Sequence, residues 1–142
     1  MVFVFCFELS TAQEITMKQT IDYINGKLSP RCIIDVVKGN LIAVYKDGVQ
    51  TVREDEVNLG DLDISSIKYD LKENIFSINC KGAPAKKCVT RDLHLLERSN
   101  YYPRTSFEAY LDTKSAEGMK RAFTHMIRMV VESKYKSNEP FE

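Results

Sequence analysis

The sequence predicts an α+β protein in which antiparallel strands are covered by one long C-terminal helix. Two observations support this fold class. From about residue 31 to residue 111, short runs rich in β-branched and aromatic residues alternate with tight-turn residues such as Gly, Asn and Asp. From Asp112 to Glu132, apolar residues instead recur at steps of three and four, which is typical of an amphipathic helix. A sheet with one apolar face needs such a helix to cover it.

Length and composition indicate one domain with ordinary globular character. The chain has 142 residues, of which 44% are hydrophobic and 28% are charged, enough for a single core. Its 20 basic and 20 acidic residues cancel, so no net charge attracts nucleic acid. No run approaches the roughly 20 apolar residues of a membrane-spanning helix. We therefore predict no nucleic-acid partner and no transmembrane segment in the mature chain.

The first twelve residues have the pattern of the end of a signal peptide. Val2 to Phe7 are all apolar or Cys, and the small residues Ser10 and Ala12 lie three and one positions before Gln13. This predicts cleavage after Ala12 and an exported protein, periplasmic or associated with the cell envelope. The alternative is a buried first strand.

Two helices flank the strands. Residues 13–30 predict an N-terminal helix, because Thr16 and Gln19 form a capping-box pattern and Ser29-Pro30 ends the helix. The C-terminal helix carries its apolar stripe at Ala116, Met119, Phe123, Met126, Ile127 and Val130, and Phe123 is expected to be its most buried residue. Residues 135–142 are expected to be a flexible tail.

About seven strands are predicted between the helices. Gly39-Asn40 and Asp47-Gly48 are expected to be hairpin turns. The acidic stretch Glu54-Asp55-Glu56 is interpreted as a solvated loop, and residues 93–104 are ambiguous, with a loop as one reading. The predicted strands are Cys32–Lys38, Leu41–Lys46, Val49–Arg53, Ile64–Tyr69, Ile75–Lys81, Lys87–Asp92 and Thr105–Leu111.

This element order resembles the pleckstrin-homology-like superfold over residues 31–134. The two tight hairpins, the aromatic strand Phe107–Leu111 and the helix that follows it directly carry the resemblance. It implies a closed antiparallel β-barrel sealed by the C-terminal helix, here with an extra N-terminal helix. The whole chain also resembles small exported proteins of Bacteroidetes-type bacteria, which implies export but assigns no activity. The shared motifs are STAQE near Ala12, Ile67–Asp70, Ile78–Cys80 and Lys120–Ile127.

Cys80 and Cys88 are candidates for a disulfide, since an exported protein meets an oxidising compartment. They flank the turn KGAPAKK, and a hairpin centred on Pro84 would place them opposite each other. A register shifted by one residue would instead pair Val89 with Ile78 and separate the two sulfurs. We favour the bridge, with Cys32 left as a free buried thiol.

Two groups of residues are candidate contact sites. Lys81, Lys86, Lys87 and Arg91 make the Pro84 turn basic and could hold an anion, although a charged turn also simply discourages edge pairing. Tyr101 and Tyr102 could contact a partner or pack over the mouth of the predicted barrel.

No residue pattern predicts catalysis, a metal or a cofactor. His94 and His125 have no recognisable nucleophile partner, and Cys80, Cys88 and His94 do not match a zinc spacing. We therefore expect a non-catalytic binding or interaction module of the bacterial cell envelope, with an unknown protein or small ligand as partner. The first alternative is a small-molecule carrier or enzyme with a pocket under the C-terminal helix. The second is a phosphoinositide-type headgroup binder, for which the turn at residues 38–40 is short.

Overall fold

The structure is a computed structural model that describes residues 15–137, with side chains up to Ser133. Helix α1 (Met17–Leu28) precedes the strands and helix α2 (Thr113–Ser137) follows them. The eight strands are β1 (Cys32–Val37), β2 (Asn40–Asp47), β3 (Gln50–Asn58), β4 (Lys68–Asp70), β5 (Ile75–Asn79), β6 (Val89–Leu93), β7 (Arg98–Tyr102) and β8 (Arg104–Glu108). The predicted signal-peptide remnant, residues 1–12, and most of the predicted tail, residues 135–142, lie outside the described residues.

The strands form two antiparallel sheets. One sheet has five strands in the order β1-β2-β3-β6-β7, and the other has three in the order β4-β5-β8. The chain changes sheet three times, from β3 to β4, from β5 to β6 and, through Pro103 alone, from β7 to β8. The α+β class and its antiparallel strands are thus confirmed. Within residues 15–137, neither helix combines the length and the apolar character that crossing a membrane requires.

The sheets do not close into a barrel, so the predicted barrel is wrong. At the gap, side chains of the five-stranded sheet bond to the outer carbonyls of β8. The Tyr45 hydroxyl donates to the Ser106 carbonyl at 2.6 Å, and Arg91 Nη2 donates to the Arg104 carbonyl at 3.4 Å. These side chains satisfy carbonyls that a neighbouring strand would otherwise bond, and strand pairing stops there.

Helix α1 begins with the predicted capping box, since Thr16 and Gln19 each accept from the other's amide, at 3.1 and 2.9 Å. It covers the outer edge of the five-stranded sheet. The Asn25 side chain donates to the Ile34 carbonyl at 3.0 Å and accepts from the Ile34 amide at 2.7 Å, as a neighbouring strand would. The next outward amide of β1, that of Val36, is bonded by its neighbour's side chain, Asp35.

Helix α2 closes the core, as its apolar stripe predicts. All six stripe residues are buried, and Phe123 has no exposed surface, a property it shares with Met119 and Met126. The Phe123 ring stacks between Phe76 at 5.4 Å and Phe107 at 5.5 Å, measured between ring centroids. Since Phe76 and Phe107 belong to β5 and β8, α2 packs on the inner face of the three-stranded sheet.

The structure differs from the prediction in several segments. Residues Ile64–Ser66, predicted to be strand, form a short 3₁₀ turn, and β4 begins only at Lys68. Two other segments contain more strand than predicted. Strand β3 continues through the acidic stretch to Asn58, so Glu54-Asp55-Glu56 is not a loop. The ambiguous segment 93–104 contains a short 3₁₀ turn, His94–Leu96, and strand β7. In both places the strand is held by its neighbours, as β3 pairs with β2 and β6 and β7 pairs with β6.

Candidate functional site

Cys80 and Cys88 form a disulfide, as predicted, with their Cα atoms 5.8 Å apart. The geometry behind the prediction is wrong, however, because the two residues do not face each other across a hairpin. Cys80 follows β5 in one sheet and Cys88 precedes β6 in the other, so the bridge ties the two sheets together. Neither register considered from the sequence occurs. Cys32 is a buried free thiol, as expected.

Beside this bridge lies a buried ionic cluster formed by Arg53, Asp55, Arg91 and Thr105. The Asp55 side chain is only 1% exposed and accepts a bidentate pair of bonds from each arginine. The four distances lie between 2.7 and 3.1 Å. The Thr105 hydroxyl of β8 donates a further bond to Asp55 at 2.9 Å. The cluster therefore connects β3 and β6 of one sheet to β8 of the other.

Each arginine of the cluster also lies on a tyrosine ring. The guanidinium carbon of Arg53 lies 4.2 Å from the Tyr45 centroid, and that of Arg91 lies 4.1 Å from the Tyr102 centroid. A planar guanidinium held between a carboxylate and an aromatic face has little freedom left. The cluster thus fixes both arginines in position.

Electrostatics keep the cluster ionised. Burial by itself raises the pKa of Asp55, but hydrogen bonds and charges from Arg53 and Arg91 outweigh it. The net result is a pKa below the ordinary value of an aspartate. Two cations and one anion leave the cluster with a net positive charge.

An open groove of about 580 Å³ runs beside Arg91, between the β5–β6 connection and strand β8. Pro84, Pro103 and Tyr102 form part of its walls. Among the described residues, Arg91 and Arg104 are the charged residues that line the groove, and no carboxylate does so. The groove is therefore a preorganised cationic surface with an aromatic and proline wall.

The structure separates the four basic residues predicted to hold an anion. Lys81, Lys86 and Lys87 are exposed on the β5–β6 connection, whereas Arg91 points inward and pairs with Asp55. Lys81 lines a different depression, beside Ile64 and α2. An anion contact at these four residues stays a prediction. Of the four, Arg91 is the one that lines the groove.

The two tyrosines predicted to contact a partner lie on opposite faces of β7. Tyr102 is half-buried in the groove under Arg91, while Tyr101 is 62% exposed on the outer face. Partner contact at either residue stays a prediction.

The sequence patterns do not identify Arg53, Asp55 and Thr105 as site residues. A usable signal is the alternate spacing of Arg53, Asp55 and Val57, which places all three on one face of a strand.

Cys32, His94 and His125 are the groups with catalytic potential, and none of them lines the groove. Burial raises the pKa of the Cys32 thiol to about 12, so it is protonated near neutral pH. His125 Nε2 lies 2.9 Å from the Ile15 carbonyl, and His94 lies 3.8 Å from Asp92 on the surface. Within the described part of the chain, no group of three or more His, Cys, Asp or Glu side chains is arranged to hold a metal ion.

No protein-family model matches the chain, and no curated protein or solved structure is detectably similar to it.

Proposed function

We propose that this protein is a non-catalytic binding module of the bacterial cell envelope, and that it binds an acidic ligand in the Arg91 groove. The observation that carries the proposal is the charge of the groove, since both of its charged lining residues are arginines. The ligand class is a chain that bears carboxylates, such as an acidic peptide. The relation to the pleckstrin-homology superfold stays a prediction.

The contacts of Arg91 leave it suited to such a ligand. Its Nε and Nη2 atoms bond to Asp55, and among the described residues Nη1 has no hydrogen-bond acceptor. Since the guanidinium is held by Asp55 and Tyr102, an incoming carboxylate would meet it without the entropic cost of ordering a free side chain. Arg104 supplies a second, exposed cation at the same groove.

The state of the nucleophilic groups supports binding rather than catalysis. The Cys32 thiol is buried and has a raised pKa, and neither histidine lines the groove. Nucleophilic catalysis needs a nucleophile and a base within hydrogen-bond reach of each other. Binding of a carboxylate between Arg91 and Arg104 needs neither a nucleophile nor a base.

The groove is tested by reversing its exposed charge. In an NMR titration with a hexaglutamate peptide, we expect amide shifts at Tyr102, Arg104 and Ser106 that weaken as salt is added. Arg104→Glu should raise the dissociation constant by about tenfold or more, equal to at least about 1.4 kcal/mol. The matched control is Arg121→Glu, an equal charge reversal at an exposed position of α2. Equal weakening by both variants, or shifts outside the groove, would overturn the proposal.

Export is proposed on the signal-like start, and the Cys80–Cys88 bridge supports it, because disulfides persist mainly in oxidising compartments. Cleavage after Ala12 would remove Cys6 and leave Cys32 as the single free thiol of the mature chain. We expect protein purified from the envelope, denatured without reductant, to react with one equivalent of a thiol reagent. Mass spectrometry should find Gln13 at its amino terminus. A count of three in a chain that starts at Gln13 would contradict the bridge in the native protein.

A further inference from the structure

Strand β7 is an open edge of the five-stranded sheet. The opposite edge, β1, is covered by α1 and bonded by Asn25. Strand β7 pairs with β6 and, in the part of the chain that the structure describes, with no other strand. Its residues 98–101 are exposed, and so are Leu95 and Leu96 just before it, at 61% and 63%. Open edges of this kind are templates for another strand.

The hydrogen bonds of β7 show which of its backbone groups face outward. The Tyr101 amide donates to the side-chain Oδ1 of Asn100, at 2.8 Å, and not to β6. Because outward and inward groups alternate along a strand, Ser99 and Tyr101 present their amides and carbonyls to solvent. Arg98, Asn100 and Tyr102 direct theirs to β6, in register with Leu93, Arg91 and Val89.

We infer that β7 pairs with β7 of a second copy of this chain, antiparallel and centred on Asn100. In that register each Ser99 faces Tyr101 of the second copy, so the outward groups of both strands meet one another. Shifting the centre to Ser99 or to Tyr101 pairs only three of the five strand residues. Shifting it by half a residue sets outward groups against inward ones.

The charges of β7 fit the same register. Its single charged residue, Arg98, would lie opposite Tyr102 of the second copy, so the two Arg98 side chains do not face each other. The exposed Leu95 and Leu96 lie next to the strand that association would cover. This inference holds whatever ligand the Arg91 groove takes.

Two substitutions with opposite expected effects test the pairing. Ser99→Pro removes an outward amide and leaves pairing with β6 intact, so it should weaken association by about tenfold or more. Asn100→Ala removes the acceptor that competes for the Tyr101 amide, so it should associate at lower concentration than the parent. Sedimentation of the full chain over a concentration series measures both, with circular dichroism to verify folding. A parent that stays monomeric throughout, or a Ser99→Pro variant that associates as well as the parent, would overturn the inference.

Cysteine trapping fixes the register. Asn100→Cys would place two thiols opposite each other, roughly 4.5–5.5 Å apart at Cβ, which is close enough to bridge on mild oxidation. The matched control is Ser99→Cys, whose counterpart lies two residues along the paired strand and out of reach. We expect covalent dimer from Asn100→Cys at a rate several-fold above that of Ser99→Cys. Equal rates would indicate random collision and would refute this register.

Discussion

Phe123→Ala is expected to destabilise the protein by about 3–5 kcal/mol, the usual cost of removing a core aromatic. The reason lies in its position, because the ring has no exposed surface and stacks between Phe76 and Phe107. Its loss leaves a cavity between α2 and the three-stranded sheet. Chemical denaturation followed by circular dichroism measures the effect.

The control for this substitution lies on the same helix. Val131 is 43% exposed, so Val131→Ala removes little packing and gains slightly in helix propensity. We expect a change within about 0.5 kcal/mol for that variant. If Phe123→Ala unfolds at the denaturant midpoint of the parent, α2 does not seal the core.

Asp55→Ala should have a similar effect, about 3–5 kcal/mol, for an electrostatic reason. The substitution leaves Arg53 and Arg91 close together without their shared carboxylate, and the Thr105 hydroxyl loses its acceptor. Exposed ion pairs provide the control, since Lys18 and Asp22 are both largely solvated. Asp22→Ala is expected to cost less than about 1 kcal/mol. Equal costs for both aspartates would show that the cluster contributes no more than a surface pair.

The same cluster predicts an acid dependence with a definite sign. The folded protein holds the pKa of Asp55 below its ordinary value, which is about 3.9 in an unfolded chain. The stabilising contribution is therefore complete above that value and is lost as the pH falls through the folded pKa. The difference in unfolding free energy between the parent and Asp55→Asn should be constant above about pH 5 and shrink towards about pH 3. A difference that grows on acidification would contradict the ionised cluster.

The helices could be predicted because their signals are local. Thr16 and Gln19 form the predicted capping box, and the stripe through Phe123 becomes the buried face of α2. Capping and periodic patterns depend on residues three or four positions apart, so one sequence contains all the information they need.

The cluster could not be predicted in the same way. Asp55 lies in a run of three acidic residues, a composition typical of a solvated loop, and its partner Arg91 is 36 positions away. Its carboxylate is buried because β3 pairs with β6. The sequence alone does not reveal which strands are neighbours in the sheet. The disulfide could be predicted from the two cysteines alone, but its role could not, because the crossing between sheets is a property of the topology.

The Asn25 bonds to Ile34 have a consequence for how far assembly through the five-stranded sheet can extend. A sheet with two open edges can add copies indefinitely and grow into a fibre, whereas a sheet with a single open edge stops at a closed pair. Asn25 occupies the amide and carbonyl that a strand arriving at β1 would need, and α1 lies across its approach. Among the described residues the five-stranded sheet therefore keeps one open edge, at β7, and the pairing inferred there would end with the second copy.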